Sequence, residues 1–149
     1  MRAIVTDLHA RLSGLGVPVL LPEQRDEPHQ AAPTDAQGRP MVGGGERGLG
    51  AYLAQHPQGY VQVEEPVPIG GDGLTGTFWT AVAAIAPDAA TAHDLGQQVR
   101  RLLIGHPFAP EHYREVTPGQ PQQFAPGAWM VRATFSATTL DGEPTGGPP

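Results

Sequence analysis

The stretch that decides the fold is GTFWTAVAAIAPDAATAHDLGQQVRRLL, residues 76–103, in which a strand pattern is followed at once by a helix pattern. Over 74–86 the side chains alternate, and neither side of the alternation is strongly polar, which predicts a central strand. The residues that follow repeat apolar side chains at helical spacing and predict a helix over 88–104, with Asp88 as its N-cap. The apolar stripe of this helix consists of Ala92, Leu95, Val99, Leu102 and Leu103.

The segment before this strand predicts its hairpin partner. Residues 60–69, YVQVEEPVPI, alternate and are rich in strand formers, and Pro66 predicts that the strand stops or bulges there. The glycines and the aspartate at 70–73 predict a turn, so that 60–69 and 74–86 form a β-hairpin. Parity along the first strand places four apolar residues on one side: Val61, Val63, Val67 and Ile69.

The remaining elements lie toward the two termini. A helix is predicted over 2–14, and a short strand over 17–21 that Pro18 confines to an edge of the sheet. Further strands are predicted over 112–117 and 127–140. In the last strand one face is apolar and the other is half polar, which is typical of a partly exposed antiparallel strand. The apolar face consists of Trp129, Val131, Ala133, Phe135 and Ala137.

This order of elements predicts the fold class. Residues 1–140 are expected to form one α+β domain, with a mostly antiparallel sheet of four to five strands and two helices packed on one face. The last residues, 141–149, end in Gly-Gly-Pro-Pro and are expected to form a disordered tail.

A long segment rich in glycine and proline, residues 22–50, interrupts the domain. It contains few apolar residues and shows no periodicity, which predicts a long mobile loop, either a functional one or a tolerated surface insertion. Three residues at its end and beyond, Leu49, Tyr52 and Leu53, could form a helical turn. If the loop binds a partner, its charged side chains and few apolar ones are the candidate contacts: Arg39, Met41, Val42, Arg47 and Leu49.

The composition excludes several classes of function. The 149 residues contain no cysteine, so there is no disulfide framework, no thiolate zinc site and no cysteine nucleophile. No run of 18 apolar residues is present, so no membrane-spanning helix is predicted. The net charge is −6 and all nine basic residues are arginines spread along the chain. Without a basic stripe, broad nucleic-acid binding is not expected.

Two groups of residues were considered for catalysis or metal binding. His106 and His112, with Glu111 beside them, could hold a metal ion, although ordinary loop histidines explain the pattern equally well. Glu64 and Glu65 are adjacent, and neighbours on a strand point to opposite faces, so they are not expected to share a site. Neither serine lies in a nucleophile motif. The sequence therefore predicts a protein that is not an enzyme and that needs no cofactor.

The central segments resemble the phage tail terminator, or tail-completion, family of long-tailed phages. That family has a short N-terminal helix, a strand, a further strand of the type PYV, and a strand that leads into a helix with the pattern eA..l...vr..L. Here PQGYV at 57–61 matches the second strand loosely, and the helix pattern is matched by Ala92, Leu95, Val99, Arg100 and Leu103. The resemblance covers about residues 1–21 and 57–140.

The resemblance implies a structural protein of the virion. Tail terminators form a ring, here expected to be a hexamer, that caps the tail tube and joins it to the neck below the capsid. The implied partners are further copies of the chain, the tail-tube protein and a neck or head-completion protein. DNA would pass through the lumen without specific binding, and assembly would take place in the host cytoplasm. A tail-tube or other neck protein is the alternative, and a small α+β ligand-binding protein or enzyme is a more distant one.

Overall fold

The computed structural model describes residues 2–33, 37, 39, 48–71, 75–104, 113–140 and 143–144. These residues form an α+β fold. The helices are α1 (Arg2–Leu12), α2 (Leu49–Gln55) and α3 (Ala89–Ile104). The strands are β1 (Val19–Leu20), β2 (Tyr60–Val63), β3 (Val67–Gly71), β4 (Thr75–Ala86), β5 (Tyr113–Thr117), β6 (Gln122–Ala125), β7 (Ala128–Leu140) and the two-residue β8 (Glu143–Pro144).

The sheet is built around the long antiparallel pair of β4 and β7, which stays in register from Thr75 opposite Leu140 to Ala86 opposite Trp129. On the outer side of β4 lie β2 and β3, one after the other along its length, and β1 pairs with β2 in parallel. On the outer side of β7 lie β5, β6 and β8. The predicted central position of β4 and the edge position of β1 are therefore confirmed.

The two sides of the sheet are covered differently. We call the side under α1 and α3 the helix face, and the opposite side the open face. The main core lies between the helix face and the two helices, and it includes Leu8, Val82, Leu95 and Phe135. On the open face, α2 covers only one end of the sheet, where Leu53 is buried among a smaller apolar cluster: Leu20, Tyr60, Ala83, Ile85 and Ala128.

Helix α3 begins where its sequence predicts. The backbone N–H of Thr91 donates to Asp88 Oδ1 at 2.8 Å, which satisfies one of the unpaired donors of the first turn. This hydrogen bond lowers the pKa of Asp88. Four residues of the predicted stripe are buried, but the fifth, Leu102, is exposed: the buried ones are Ala92, Leu95, Val99 and Leu103.

The α+β class is confirmed; the number of strands and the placement of the helices differ from the prediction, and parts of the predicted loop and tail form regular structure. The sheet contains seven strands and the short β8 rather than four to five, because β3 separates from β2 and because β6 was missed. The two long helices do share one face, but α2 lies on the other. Within the predicted loop 22–50, residues Pro22–Gln24 and Glu27–Gln30 form 3₁₀ turns and α2 begins at Leu49. Strand β8 lies within the predicted disordered tail.

Hydrogen bonds and a buried proline explain why the first part of that segment is ordered. The Nε2 of Gln62 donates at 3.0 Å to the carbonyl of Leu21, the residue just before the segment, and the Nε2 of Gln55 donates at 2.7 Å to the carbonyl of Ala32 within it. The N–H of Gly48 donates to the carbonyl of Ala31 at 2.8 Å. These hydrogen bonds satisfy backbone groups that would otherwise need water. The ring of Pro28 is buried as well.

A buried tyrosine joins the N-terminal helix to strand β5. The hydroxyl of Tyr113 donates to Asp7 Oδ2 at 2.6 Å, and the Nε of Arg11 lies 2.9 Å from the same oxygen. The guanidinium of Arg11 also lies over the tyrosine ring, 5.3 Å from its centroid. Burial, and then the hydrogen bond to Asp7, raise the pKa of Tyr113. Burial likewise raises the pKa of Tyr60.

The raised pKa values of these two tyrosines predict that the protein becomes less stable at alkaline pH. In the unfolded chain a tyrosine loses its proton near pH 10, whereas Tyr60 and Tyr113 keep theirs to higher pH in the folded protein. Above about pH 10 the unfolded state therefore binds fewer protons, and the free energy of unfolding should fall by about 1.4 kcal/mol per pH unit for each of them. Urea unfolding from about pH 9 to 11.5 measures this slope. Tyr113→Phe should reduce it, and a constant free energy over this range would contradict the prediction.

Candidate interaction surface

The uncovered part of the open face lies at the end of the sheet away from α2. It is formed by β3 together with the neighbouring parts of β4 and β7. A shallow cleft of about 230 Å³ opens there. Its lining combines apolar and charged side chains: Glu64, Glu65, Val67, Ile69, Trp79, Ala81, Arg132 and Thr134.

Three large apolar side chains of this region are exposed to solvent. The exposed fraction is 55% for Val67, 49% for Ile69 and 40% for Trp79. Val67 lies directly opposite Trp79 in the sheet, so the two side chains stand on the same face. We call these three residues the β3 patch. Contiguous apolar surface of this kind is typical of an interaction site.

A change of register between β2 and β3 puts these residues on the surface. Val63 pairs with Val82, but Val67 pairs with Trp79 rather than with the residue that continued parity would select. One extra residue lies between the two pairings, and a shift of one residue moves a side chain to the other face. The prediction that Val61, Val63, Val67 and Ile69 share one side is therefore wrong: the first two are in the main core and the last two line the cleft.

A bidentate ion pair borders the β3 patch. The guanidinium of Arg132, on β7, donates to both carboxylate oxygens of Glu64, from Nε at 2.6 Å and from Nη2 at 3.0 Å. The hydrogen bond to Glu64 raises the pKa of Arg132 further above its usual value. Because both side chains are partly exposed, the pair contributes more to orientation than to stability. It holds Glu64 against the sheet beside the cleft.

Glu65 lies beside this ion pair and is exposed. The expectation that Glu64 and Glu65 point to opposite faces is wrong, because β2 ends at Val63 and both residues line the same cleft. They also line a second cleft of about 340 Å³ with Pro22, Glu23 and Arg25. Since Arg132 occupies the carboxylate of Glu64, the two acids do not form a free catalytic pair.

The opposite edge of the sheet carries a second group of exposed residues. Val116 on β5 and Phe124 on β6 are exposed large apolar side chains, and Arg114 on β5 is exposed as well. Their neighbour Glu115 turns toward α3, where its carboxylate lies 3.1 Å from the Nε of Arg100. We call Arg114, Val116 and Phe124 the β5–β6 edge.

The partner contacts predicted in the 22–50 segment are only partly described. Leu49 is the first residue of α2, and its side chain packs, partly buried, against the apolar cluster of the open face. Arg39 is exposed. Met41, Val42 and Arg47 lie outside the described residues. The role of these five residues as partner contacts stays a prediction.

The candidate metal ligands and the absence of a membrane-spanning helix can be compared with the described residues only in part. His106, Glu111 and His112 lie outside the described residues. Within the part of the chain that the structure describes, no group of three or more metal-ligating side chains comes together. None of the helices formed by those residues has the length and apolar character needed to cross a membrane.

Comparison with known proteins does not assign the chain to a family. No family model matches the sequence, and no match is found among curated proteins.

Sequence reasoning missed both surface groups, for different reasons. The β3 patch could not be assigned to the surface because alternation alone does not say whether the side chains after a bulge point to the same face as those before it. The β5–β6 edge was missed because β6, with the sequence QQFA, is short and polar. The signal that was available is Pro66, since prolines in a strand pattern mark edges and irregularities.

Proposed function

We propose that this chain is a structural protein of a phage tail, a tail terminator whose copies form a ring, hexameric in the resembled family, that caps the tail tube and joins it to the neck. The resemblance of residues 57–61 and of the α3 sequence to that family suggests this function. The observation that carries it is the pair of exposed apolar surfaces at opposite edges of one sheet, the β3 patch and the β5–β6 edge. Such surfaces suit a protein that is covered by neighbours in an assembly.

The charge of the chain suits this function. DNA has to slide through a terminator ring, and a lumen lined with basic side chains would bind its phosphates. This chain has a net charge of −6 and no lysine. Three of its arginines, Arg11, Arg100 and Arg132, lie against carboxylates of the same chain, which leaves less positive charge for DNA.

A tail-tube or other neck protein is the alternative within the virion, because the same two edges would also serve a protein that forms stacked rings. An enzyme or a small-molecule binding protein fits less well. Of the two clefts beside Glu64 and Glu65, one of about 230 Å³ lies below and one of about 340 Å³ lies just above the lower limit of about 300 Å³ for sites that bury a drug-sized ligand. We therefore propose a non-enzymatic role without a cofactor.

The number of copies per particle tests this proposal. We expect quantitative mass spectrometry of purified phage particles to find this chain at about one ring per tail, with the tail-tube protein as the internal reference. A copy number equal to that of the tube protein would assign it to the tube instead. Its absence from particles, in a lysate where it is expressed, would overturn a virion function.

A mutant phage provides the matching functional readout. A terminator stops the growth of the tube and joins the tail to the head, so particles made without this protein should show overlong or headless tails in electron micrographs. Supplying the wild-type chain from a plasmid should restore normal tails. Tails of normal length joined to heads in its absence would argue for another role.

A further inference from the structure

The exposed apolar side chains are concentrated at the two lateral edges of the sheet. Among the described residues, the large hydrophobic side chains that are exposed are Val67, Ile69, Trp79, Leu102, Val116 and Phe124. All of them except Leu102 belong to the β3 patch or to the β5–β6 edge. These two surfaces lie on opposite sides of the central pair of strands, so a single copy cannot bring them together.

The β3 patch and the β5 part of the β5–β6 edge lie at the same level of the sheet, whereas β6 pairs with the other end of β7. One row of paired residues runs from Val67 through Trp79 and Ser136 to Arg114. Directly paired residues point to the same face, so the side chain of Arg114 stands on the open face, as those of Val67 and Trp79 do. Glu65 lines the cleft on that same face.

We propose that the β3 patch of one copy docks against the β5–β6 edge of the next copy, in a head-to-tail contact. This inference rests on the proposed function for the closure of the contacts into a ring, and it deepens that function by naming the two surfaces. The β3 patch meets Val116 of the neighbour, while Glu65 meets the neighbour's Arg114.

Charge complementarity selects the head-to-tail arrangement. A symmetric contact between two β3 patches would bring together two surfaces that each carry Glu64 and Glu65 and whose arginine, Arg132, is already held by Glu64, and it would leave Arg114 outside the contact. Like charges at an interface are unfavourable, whereas the contact between different edges pairs an acid with a base. A contact between different surfaces repeats from copy to copy and closes into a ring when the rotation allows it.

The contact is made through side chains rather than through a continuous backbone ladder. The N–H of Glu64 donates to the carbonyl of Ala81 at 3.0 Å, and β4 continues without a shift of register. Backbone N–H and C=O groups point to the same neighbouring strand at every second residue. Trp79, two residues from Ala81, therefore directs its backbone groups toward β3 and forms a hydrogen-bonded pair with Val67. Pro68 therefore turns its nitrogen away from β4, and it has no N–H to offer a further strand. This protects the edge from indiscriminate strand addition.

Cysteine cross-linking tests the contact directly, because the natural chain has no cysteine. With a short bis-maleimide, the double variant Ile69→Cys/Val116→Cys should give a ladder of cross-linked oligomers. An equimolar mixture of the two single variants should stop at the dimer. The matched control is Ile69→Cys/Leu102→Cys, since Leu102 is similarly exposed but lies on α3; it should give no ladder.

Charge reversal provides the second readout. In the Ile69→Cys/Val116→Cys background, Glu65→Arg alone and Arg114→Glu alone should each reduce the ladder several-fold, and the two together should restore it. Circular dichroism of each variant checks that the domain is folded. Absence of the ladder at every protein concentration up to the millimolar range, or dimers formed by Ile69→Cys alone, would overturn the head-to-tail contact.

The outcomes separate this inference from the function on which it rests. If particles contain one ring of the chain but the double variant gives no ladder, these surfaces are wrong and the terminator function stands. If the ladder forms but particles lack the chain, the contact stands and the virion function fails.

Discussion

Replacing Leu95 with alanine should lower the free energy of unfolding by about 2–5 kcal/mol. Leu95 is only 4% exposed and lies in the main core with Val99, Val131 and Phe135. Removing three carbons from this position loses the transfer free energy of the side chain and leaves a cavity between α3 and the sheet. Denaturant unfolding of the purified chain, with the slope compared to the wild type, measures the change.

Leu102 provides the matched control on the same helix. It is 39% exposed, so Leu102→Ala removes the same atoms from a position that is already in contact with water. Its effect should stay within about 0.5 kcal/mol. Equal losses for the two variants would mean that Leu95 is no more deeply packed against the sheet than the exposed Leu102.

The helices and the central strands could be predicted because their side chains follow the period of the element. In α3, Ala92, Leu95, Val99 and Leu103 recur at helical spacing and all are buried. In β7, the alternate residues from Trp129 to Ala137 face the main core, as expected. The period of the apolar residues indicates which side of an element is buried. In α3 and in β7 the same side is buried along the whole element, so the period is not interrupted.

The candidate surface could not be predicted in the same way, because it depends on where a period is broken. Pro66 indicated a stop or bulge, but whether the strand resumes with the same parity depends on how many residues the chain uses between two pairings. The structure uses one extra residue between Val63 and Val67. Two side chains that would have belonged to the core face are consequently on the open face.

Order within residues 22–33 was missed for a different reason. This segment has few apolar residues, and a low apolar content predicts a loop without fixed structure. Its long-range contacts are instead hydrogen bonds to its backbone carbonyls, from the Gln55 side chain to Ala32 and from the N–H of Gly48 to Ala31. Such long-range polar contacts carry no local sequence signal.

Gly59→Ala should lower the free energy of unfolding by about 2–4 kcal/mol, since the added methyl group meets two separate obstacles. The φ angle of Gly59 is +91°, a conformation that residues with a Cβ rarely adopt. A Cβ at this position would also contact the carbonyl oxygen of Ile85, and it would lie 3.1 Å from the Cβ of Ala86. The backbone oxygen belongs to the central strand β4 and cannot move aside cheaply.

Two other glycines separate these causes when the same denaturant measurement is applied to each. Gly127 has a φ of +71° with nothing within 4 Å of an added Cβ, so Gly127→Ala should cost only the backbone strain, about 1–2 kcal/mol. Gly96 lacks the positive φ, but its added Cβ would lie 2.8 Å from Val131 Cγ1. Because Gly96 lies inside α3, Gly96→Ala measures a clash with a side chain, offset by the gain of about 1 kcal/mol that alanine has over glycine in a helix interior. An effect of Gly59→Ala no larger than that of Gly127→Ala would show that the contact with Ile85 relaxes.

A double variant connects the two largest effects and tests their physical independence. One Leu95 methyl, Cδ2, would lie 3.2 Å from a Cβ at position 59, so the two sites are in contact and their effects need not add. Leu95→Ala removes this neighbour but leaves the Ile85 oxygen and the positive φ unchanged. The loss in the double variant should therefore approach the sum of the two single losses, reduced only by the contact that Leu95→Ala relieves. Recovery of stability in the double variant would locate the obstacle at the helix rather than at β4, and would show that the turn before β2 is held by α3.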